Sequence, residues 1–355
     1  MTEILSELSI ICIYVTMGFY SLAFIAFALD LARRGAKVSA AEAARVPSAV
    51  ARRSVSAAVP VTTSVITRED DERNYSDSNA SALSRLSSRI SERVENSVLS
   101  DDGTSVSLRW AVGLTITGWV FHLAATVFRG VAAGRVPWAN MWEFSMTGTL
   151  VMVGIFLLIN LRWPLQYLGT FLMGLVLVLQ GIALLRYYVP VTPLVPALQS
   201  YWLVIHILVA ITGTAFFALG FVLSALQLLQ YRRERQDASL QPQGLRFLAT
   251  LPGSVTLENL AYRINIVGFI AWTFTLIAGA IWAEKAWGRY WGWDTKEVWT
   301  FIVWVIYAGY IHARATRGWR GSRSAWLGII GFAAVMFNFG IVNVFFHGLH
   351  SYSGL

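Results

Sequence analysis

Cysteine is all but missing. Cys12 is the sole thiol in 355 residues, which excludes a disulfide framework, a CxxC redox pair and a CxxCH cofactor-attachment sequence. Charge is scarce too: 14% of the residues are charged against 56% hydrophobic, a balance no ordinary soluble globule has. Walker A, GxSxG and HExxH sequences are absent, so the motif-borne phosphate, acyl-transfer and zinc chemistries have no footing. No internal repeat points to an inverted-repeat transporter. The start, MTEILSEL, is acidic where a signal peptide would be basic, and the first apolar stretch is read as retained.

Long apolar runs are what the chain does have. About 20 apolar residues at 1.5 Å per residue cross ~30 Å of hydrocarbon. Eight such windows can be marked off: Ile10 to Leu29, Leu108 to Phe128, Phe144 to Leu161, Pro164 to Leu185, Tyr201 to Leu229, Ile264 to Ala283, Val298 to His312 and Ala325 to Phe346. The fold class expected is therefore an all-α integral membrane protein, a polytopic helical bundle of about eight transmembrane helices. With the N-terminus outside, six of the 28 Lys and Arg residues (Arg129, Arg135, Arg186, Lys285, Arg289 and Lys296) fall on the outer side and 22 on the inner. That is the positive-inside asymmetry. It places both termini and the stretch from Trp282 to Trp299 outside a cell membrane. The net charge of +8 is accounted for by this retention signal and leaves a nucleic-acid reading little to explain.

Three parts follow: a first transmembrane helix at 1–31, a cytoplasmic, largely disordered loop at 32–107, and a transmembrane core at 108–355. The loop is rich in Ser, Ala, Arg, Asp and Glu with almost no aromatics, too little to bury a core. Within it Leu83, Leu86, Ile90 and Val94 recur at helical spacing, which fits either a short surface helix or a solvated linker.

Five histidines remain as candidate ligands, imidazole being a good donor to iron and polar groups being costly inside a membrane. His206 lies five residues into the fifth span, about 7 to 8 Å below the outer surface at 1.5 Å per residue. His350 follows the last span, so these two can share one outer site. His347 lies one helical turn before His350. His312 ends the seventh span, roughly 20 Å or more away near the inner face, and Arg314 and Arg317 follow it as candidate anion partners. His122 lies in the outer half of the second span, at a different depth from His312. A lone histidine in a span also serves as a hydrogen-bond partner between helices.

Between Trp282 and Trp299 stand five tryptophans. An interfacial aromatic belt explains Trp138, Trp142, Trp202 and Trp326, but not Trp287, Trp291 and Trp293, which are spaced i, i+4, i+6 beside Gly288 and Gly292. Each indole buries on the order of 150 to 250 Å², so three left in water would forgo roughly 10 kcal/mol at ~25 cal/mol/Å². A flat apolar partner such as a porphyrin suits them, with Arg289, Arg135 or Asn140 to hold its propionates.

WGRYWGWDTKEVW, at 287–299, resembles the WWD signature of the haem-handling proteins of cytochrome c biogenesis, in the CcsA (ResC) version of the System II synthetase. VPWANMWEFS resembles the family's Pro-x-x-Asn-x-Tyr-Glu stretch through Asn140 and Glu143, with Trp142 where tyrosine is usual. YWLVIHILVAITGTAFF is similar to its first external-histidine span, YIHAR to its inner histidine and NVFFHGLHSY to its second external-histidine segment. Thr295 stands where proline is common after the WWD aspartate. The resemblance implies a holocytochrome c synthase (haem lyase) activity exercised in complex with a CcsB/ResB-type membrane protein. It implies haem b held non-covalently between His206 and His350 on a platform of Trp287, Trp291, Trp293 and Asp294. His312 is then an inner ligand whose axial mate comes from the partner or from His122. Apocytochrome c with its CxxCH sequence would be the substrate, and thioredoxin-like thiol reductants would act upstream. The alternatives are a haem exporter or chaperone without lyase activity and a membrane b-type cytochrome. A b-type cytochrome usually stacks histidine pairs at two matched depths, which the five histidines here do not do.

Overall fold

The computed structural model describes residues 1–55, 105–192, 199–235, 243–316, 319–346 and 348–350, and among them every regular element is helical. In chain order these are α1 (Thr2–Val55), α2 (Val106–Ala133), α3 (Met141–Arg162), α4 (Gly169–Arg186), α5 (Tyr201–Glu234), α6 (Ser254–Trp287), α7 (Thr295–Ala315), α8 (Ser322–Phe339) and the short α9 (Ile341–Phe345). Single 3₁₀ segments at Gln166–Leu168 and Gln243–Thr250 precede α4 and α6. Seven of the helices are long and apolar enough to cross a membrane. The eighth expected span, α7, has 21 residues but carries Lys296, Glu297, His312 and Arg314 in its end turns, so its apolar middle is short.

The chain divides into two units. The larger, Met1–Asp30 with Val106–Gln241 and Gly253–Leu355, is the bundle. The smaller, Leu31–Ser105 with Pro242–Pro252, holds the continuation of α1 and the second 3₁₀ segment, where Thr250 Oγ1 donates to Phe247 O at 2.7 Å. A loop is expected from residue 32, but the backbone stays helical to Val55. Alanine and arginine make up ten of the 18 residues from Ala36 to Arg53, and both are strong helix formers. The expected surface helix around Leu83 to Val94 lies outside the described residues.

Within the bundle α5 and α6 make the most extensive pairing, α8 lies against both α5 and α7, and α3 links α5 to α2 and α4. Both α5 and α6 have 34 residues, about 51 Å at 1.5 Å each, and so project well beyond the hydrocarbon. Helix α6 begins ten residues before its expected start because its first turns are polar, with Glu258 and Asn259.

Small residues let these helices close on one another. The Asn265 amide of α6 occupies the place a Cβ at Gly220 of α5 would take, and a Cβ at Gly328 of α8 would meet Ser224 Oγ at 2.7 Å. Asn265, Ser224 and Ser324 are buried, and the Tyr310 hydroxyl of α7 faces Asn265 and Ser324. Each of the four helices α5 to α8 thus places one polar side chain in a common layer, which fixes their register in a setting where apolar packing alone discriminates poorly. Below it Arg314 pairs with Glu258 at 2.8 Å and donates to Asn259 at 2.7 Å.

Filling the Gly220 space should therefore drive Asn265 out of the layer. Gly220→Val is expected to lower the melting temperature of the detergent-purified chain, overpacking commonly costing about 1 to 3 kcal/mol. Gly148→Val, where nothing lies within 4 Å of the added carbon, is expected to leave it unchanged.

Candidate functional site

At the end of the bundle where α6 turns into α7, a cavity of about 190 Å³ opens between α3, α5, α6, α7 and α8. His206 and His350 both line it, with Trp138, Trp272, Trp282, Tyr290 and Trp291 among its aromatic walls. Two histidines far apart in the sequence thus meet at one place.

Each of these histidines is tethered through Nδ1. His206 Nδ1 lies 3.0 Å from Thr275 O on α6. A carbonyl can only accept, so Nδ1 carries the proton and Nε2 keeps its lone pair. The tether needs Gly279, where a Cβ would lie 2.8 Å from His206 Cε1. His350 Nδ1 lies 2.6 Å from Asp294 Oδ2, and the same oxygen accepts the His350 backbone N–H at 3.2 Å. This bond from His350 holds the Asp294 carboxyl below the usual carboxylate range, against the opposing pull of burial. Both rings meet Trp282, which is 2% exposed. His206 stacks on it at 5.9 Å and 15°, and His350 meets it edge-on at 5.5 Å and 68°. Trp287 closes the group, packed against Trp282 at 4.7 Å and against His350 at 4.8 Å.

The donor set fits a porphyrin iron. His206 and His350 would hold the iron, and an imidazole whose other nitrogen is bonded to a carbonyl or carboxylate is the form of histidine that ligates best.

The turn that frames the cavity is strained and held. α6 ends at Gly288 with φ 69°, the left-handed cap that glycine accepts without a Cβ clash. Trp293 has φ 59°, and a bulky residue there costs of order 1 to 3 kcal/mol. Glu297 holds it from both sides: its Oε2 accepts the Gly292 N–H at 2.8 Å and the Asp294 N–H at 3.1 Å. The second bond is half of a capping box at the start of α7.

Other candidates lie elsewhere. Trp291 lines the cavity, but Trp293 is 75% exposed and meets Trp291 edge-on at 6.0 Å. Trp287 and Trp291 are half-buried, whereas the left-handed backbone at 293 sets its exposed indole apart from the platform expected of all three. Arg289 lies over Gly292, its guanidinium filling the place of a side chain there. Asn140 lines the cavity while its Oδ1 caps α3 through the Glu143 N–H at 2.9 Å. Glu143 is fully buried and pairs with Arg129 at 3.0 Å and Arg135 at 2.6 Å. Its Oε2 also takes the Ala139 N–H at 3.0 Å, so it anchors the 135–140 connection and Arg135 is engaged.

His122 is completely buried, 3.3 Å from the Tyr20 hydroxyl, whereas His312 is exposed on α7. The two rings thus stand in unlike surroundings, one against Tyr20 of α1 and one on the exposed surface of α7. Arg314, expected beside His312 as an anion partner, is buried against Glu258. His347 and Arg317 lie outside the described residues.

Trp282 and Glu297 were not singled out by sequence, although both sit inside the aromatic stretch. The signals were available: an indole at a helix end beside a glycine-spaced turn, and a glutamate three residues after an aspartate N-cap.

Fold and site together define a polytopic helical membrane protein with a tryptophan-walled cavity flanked by two tethered histidines. The family described as Cytochrome C assembly protein matches residues 138–350. The Cytochrome c biogenesis protein CcsA of Prochlorococcus marinus is 36% identical over 249 residues, 64% of this chain and 78% of that protein. That of Synechococcus sp. (strain RCC307) is 34% identical over 277 residues, 72% of this chain and 88% of the relative. That of Trieres chinensis is 30% identical over 279 residues, 70% and 89%. The chain belongs to the cytochrome c assembly family, as a CcsA-type protein with a role in cytochrome c maturation. Among solved structures, Cytochrome c Heme Lyase CcmF matches with a TM-score of 0.55 and 14% identity, over 94% of this chain and 46% of that one. This shows a shared fold, and the chain spans just under half of that structure.

Removing the Glu297 carboxylate should release the Trp293 turn. Glu297→Ala is expected to destabilise the purified chain by about 1 to 3 kcal/mol, since two N–H groups lose their acceptor, and to speed tryptic cleavage after Arg289. Glu297→Gln, which keeps one accepting oxygen, is expected to fall between the two.

Proposed function

We propose that this chain is the membrane subunit of a cytochrome c haem lyase, holding haem b non-covalently on the outer face of a cell membrane for attachment to apocytochrome c. The observation that carries this reading is the pair of histidines, His206 and His350, in one aromatic cavity, each with its Nδ1 proton committed to an oxygen. The distribution of 28 Lys and Arg residues, six against 22, supports the outward orientation of that cavity and of both termini.

Bound haem supplies two vinyl groups, across whose double bonds the S–H of the two CxxCH thiols adds. The chain's own part is to position and to shield. His206 and His350 would hold the iron, Trp291 and Trp138 would wall the ring, and Thr275 and Asp294 keep both Nδ1 protons engaged, which leaves each Nε2 free to ligate. The exposed indole of Trp293 and the exposed ring of Tyr290 border the side from which an unfolded polypeptide arrives. With one cysteine in the chain, thiol reduction belongs to separate thioredoxin-like proteins. His312, exposed on α7, is the inner ligand, its mate supplied by a CcsB/ResB-type protein.

Substituting either His206 or His350 with Gly should abolish cytochrome c maturation in cells, and added imidazole should restore part of it by filling the vacated axial position. Full maturation in the double variant would refute the reading. For the inner ligand, His312→Ala in the co-purified complex is expected to lower haem content at both sites while His350→Ala spares the inner one. A fully loaded outer site in His312→Ala, in cells given no external haem, would show that haem does not travel by way of His312.

A further inference from the structure

Two axial imidazoles fix an iron atom and leave one freedom open. The four pyrrole nitrogens look alike to the metal, so a bis-imidazole site lets the macrocycle turn about the N–Fe–N axis, carrying its acidic edge and its vinyl edge to any side. Something on the rim must select one register if the vinyl groups are to meet incoming thiols, and the acidic edge is the handle that charge can grip.

The cations expected to do this are engaged or displaced. Arg135 is paired with Glu143, and Arg289 is packed over Gly292. Apart from the two histidines, Lys296 is the one basic side chain lining the cavity among the described residues. It stands in the first turn of α7, two residues after the aspartate that holds His350. Its Nζ donates to Asn338 O on α8 at 2.8 Å, and among the described residues no carboxylate forms an ion pair with it. An ammonium has three N–H donors, and one acceptor is accounted for. The cavity acid nearest in sequence, Glu297, is committed to the Gly292 and Asp294 N–H groups. A half-buried ammonium that faces a cavity with donors to spare calls for an anion from the ligand.

We infer that Lys296 is the carboxylate-binding group of this cavity, gripping one propionate of the porphyrin held between His206 and His350 and so setting its rotational register. The inference rests on the haem reading above and adds the subsite. Because Lys296 and Asp294 share the start of α7, the grip on the rim and the grip on one axial ligand ride on one rigid segment. Asn338 O holds the ammonium in place between the two.

A narrower role would be to cap the C-terminal carbonyls of α8, where a lysine is electrostatically welcome. The two roles separate in a binding experiment on the full chain purified in detergent, titrated with ferric protoporphyrin IX and with its dimethyl ester while tryptophan fluorescence is followed. The wild-type chain should bind the diacid at least about tenfold more tightly than the ester, the size of effect one charge-assisted hydrogen bond commonly gives. Lys296→Met should weaken the diacid by about that factor and leave the ester unchanged, erasing the preference, while Lys296→Arg should keep most of it. Equal wild-type affinities, or a preference that survives in Lys296→Met, would overturn the assignment. So would equal weakening of both porphyrins, which marks a structural cap. Failure of the wild-type chain to bind even the ester would instead overturn the haem reading beneath it, and the Lys296 subsite with it.

Discussion

Asp294 is the hinge of the arrangement. One of its oxygens accepts both the ring N–H and the backbone N–H of His350, at 2.6 and 3.2 Å, and this contact ties residues 56 positions apart. It closes the end of the chain onto the turn between α6 and α7. Without it His350 is a side chain on a short segment beyond α9, with only Trp282 and Trp287 to locate it. With it, the histidine's tautomer, orientation and distance from the α7 start are set together. Gly348 makes the approach feasible, since a Cβ there would collide with the Asp294 carboxylate. An imidazole bound to a carboxylate is in general the more basic ligand, so under the proposed function the same contact would tune the site.

The rest of this end of the bundle serves to keep that turn rigid. Glu297 clamps the peptide units on both sides of Trp293. Trp282, buried in the core, packs against both imidazoles and so fixes where each ring stands. On the facing side, Glu143 and two arginines form a buried network. Burying such charges repays its cost only when each is bonded, and here the carboxylate also takes the Ala139 N–H. Its position next to Asn140 and Trp138 indicates what that outlay secures: a fixed wall for the cavity rather than stability of the fold as a whole.

Much of this was legible in the sequence, for identifiable reasons. Spans are long and their signal is additive, so hydropathy located every helix of the bundle and misjudged only ends, as at α6, where polar turns extend the helix. That His206 and His350 can meet at one end of the bundle is readable from the order of the spans and from the depth of His206, since 1.5 Å per residue turns a count into a position, and both line one cavity. The fate of Trp293 was not legible, because a left-handed φ at one residue reverses a side chain and leaves no trace in spacing. Likewise, Arg135, Arg314 and Glu143 read as charges available to a ligand, because sequence shows a charge without its partner. In the sequence Lys296 is one of six outer basic residues, and only the cavity lining sets it beside the two histidines. Helix propensity, which carries α1 on to Val55, was outweighed in the reading by the lack of apolar residues.

The central claim is that the iron of a bound haem lies between His206 and His350. Electron paramagnetic resonance of the ferric form, recorded on the full purified chain loaded with haem, tests it most directly. The account predicts a low-spin spectrum of the bis-imidazole type from the outer site, with that signal converted to high spin in the His350→Gly protein and returned to low spin by added imidazole. A high-spin spectrum in the wild-type protein, or an outer-site low-spin signal that persists unchanged when both His206 and His350 are replaced, would contradict it.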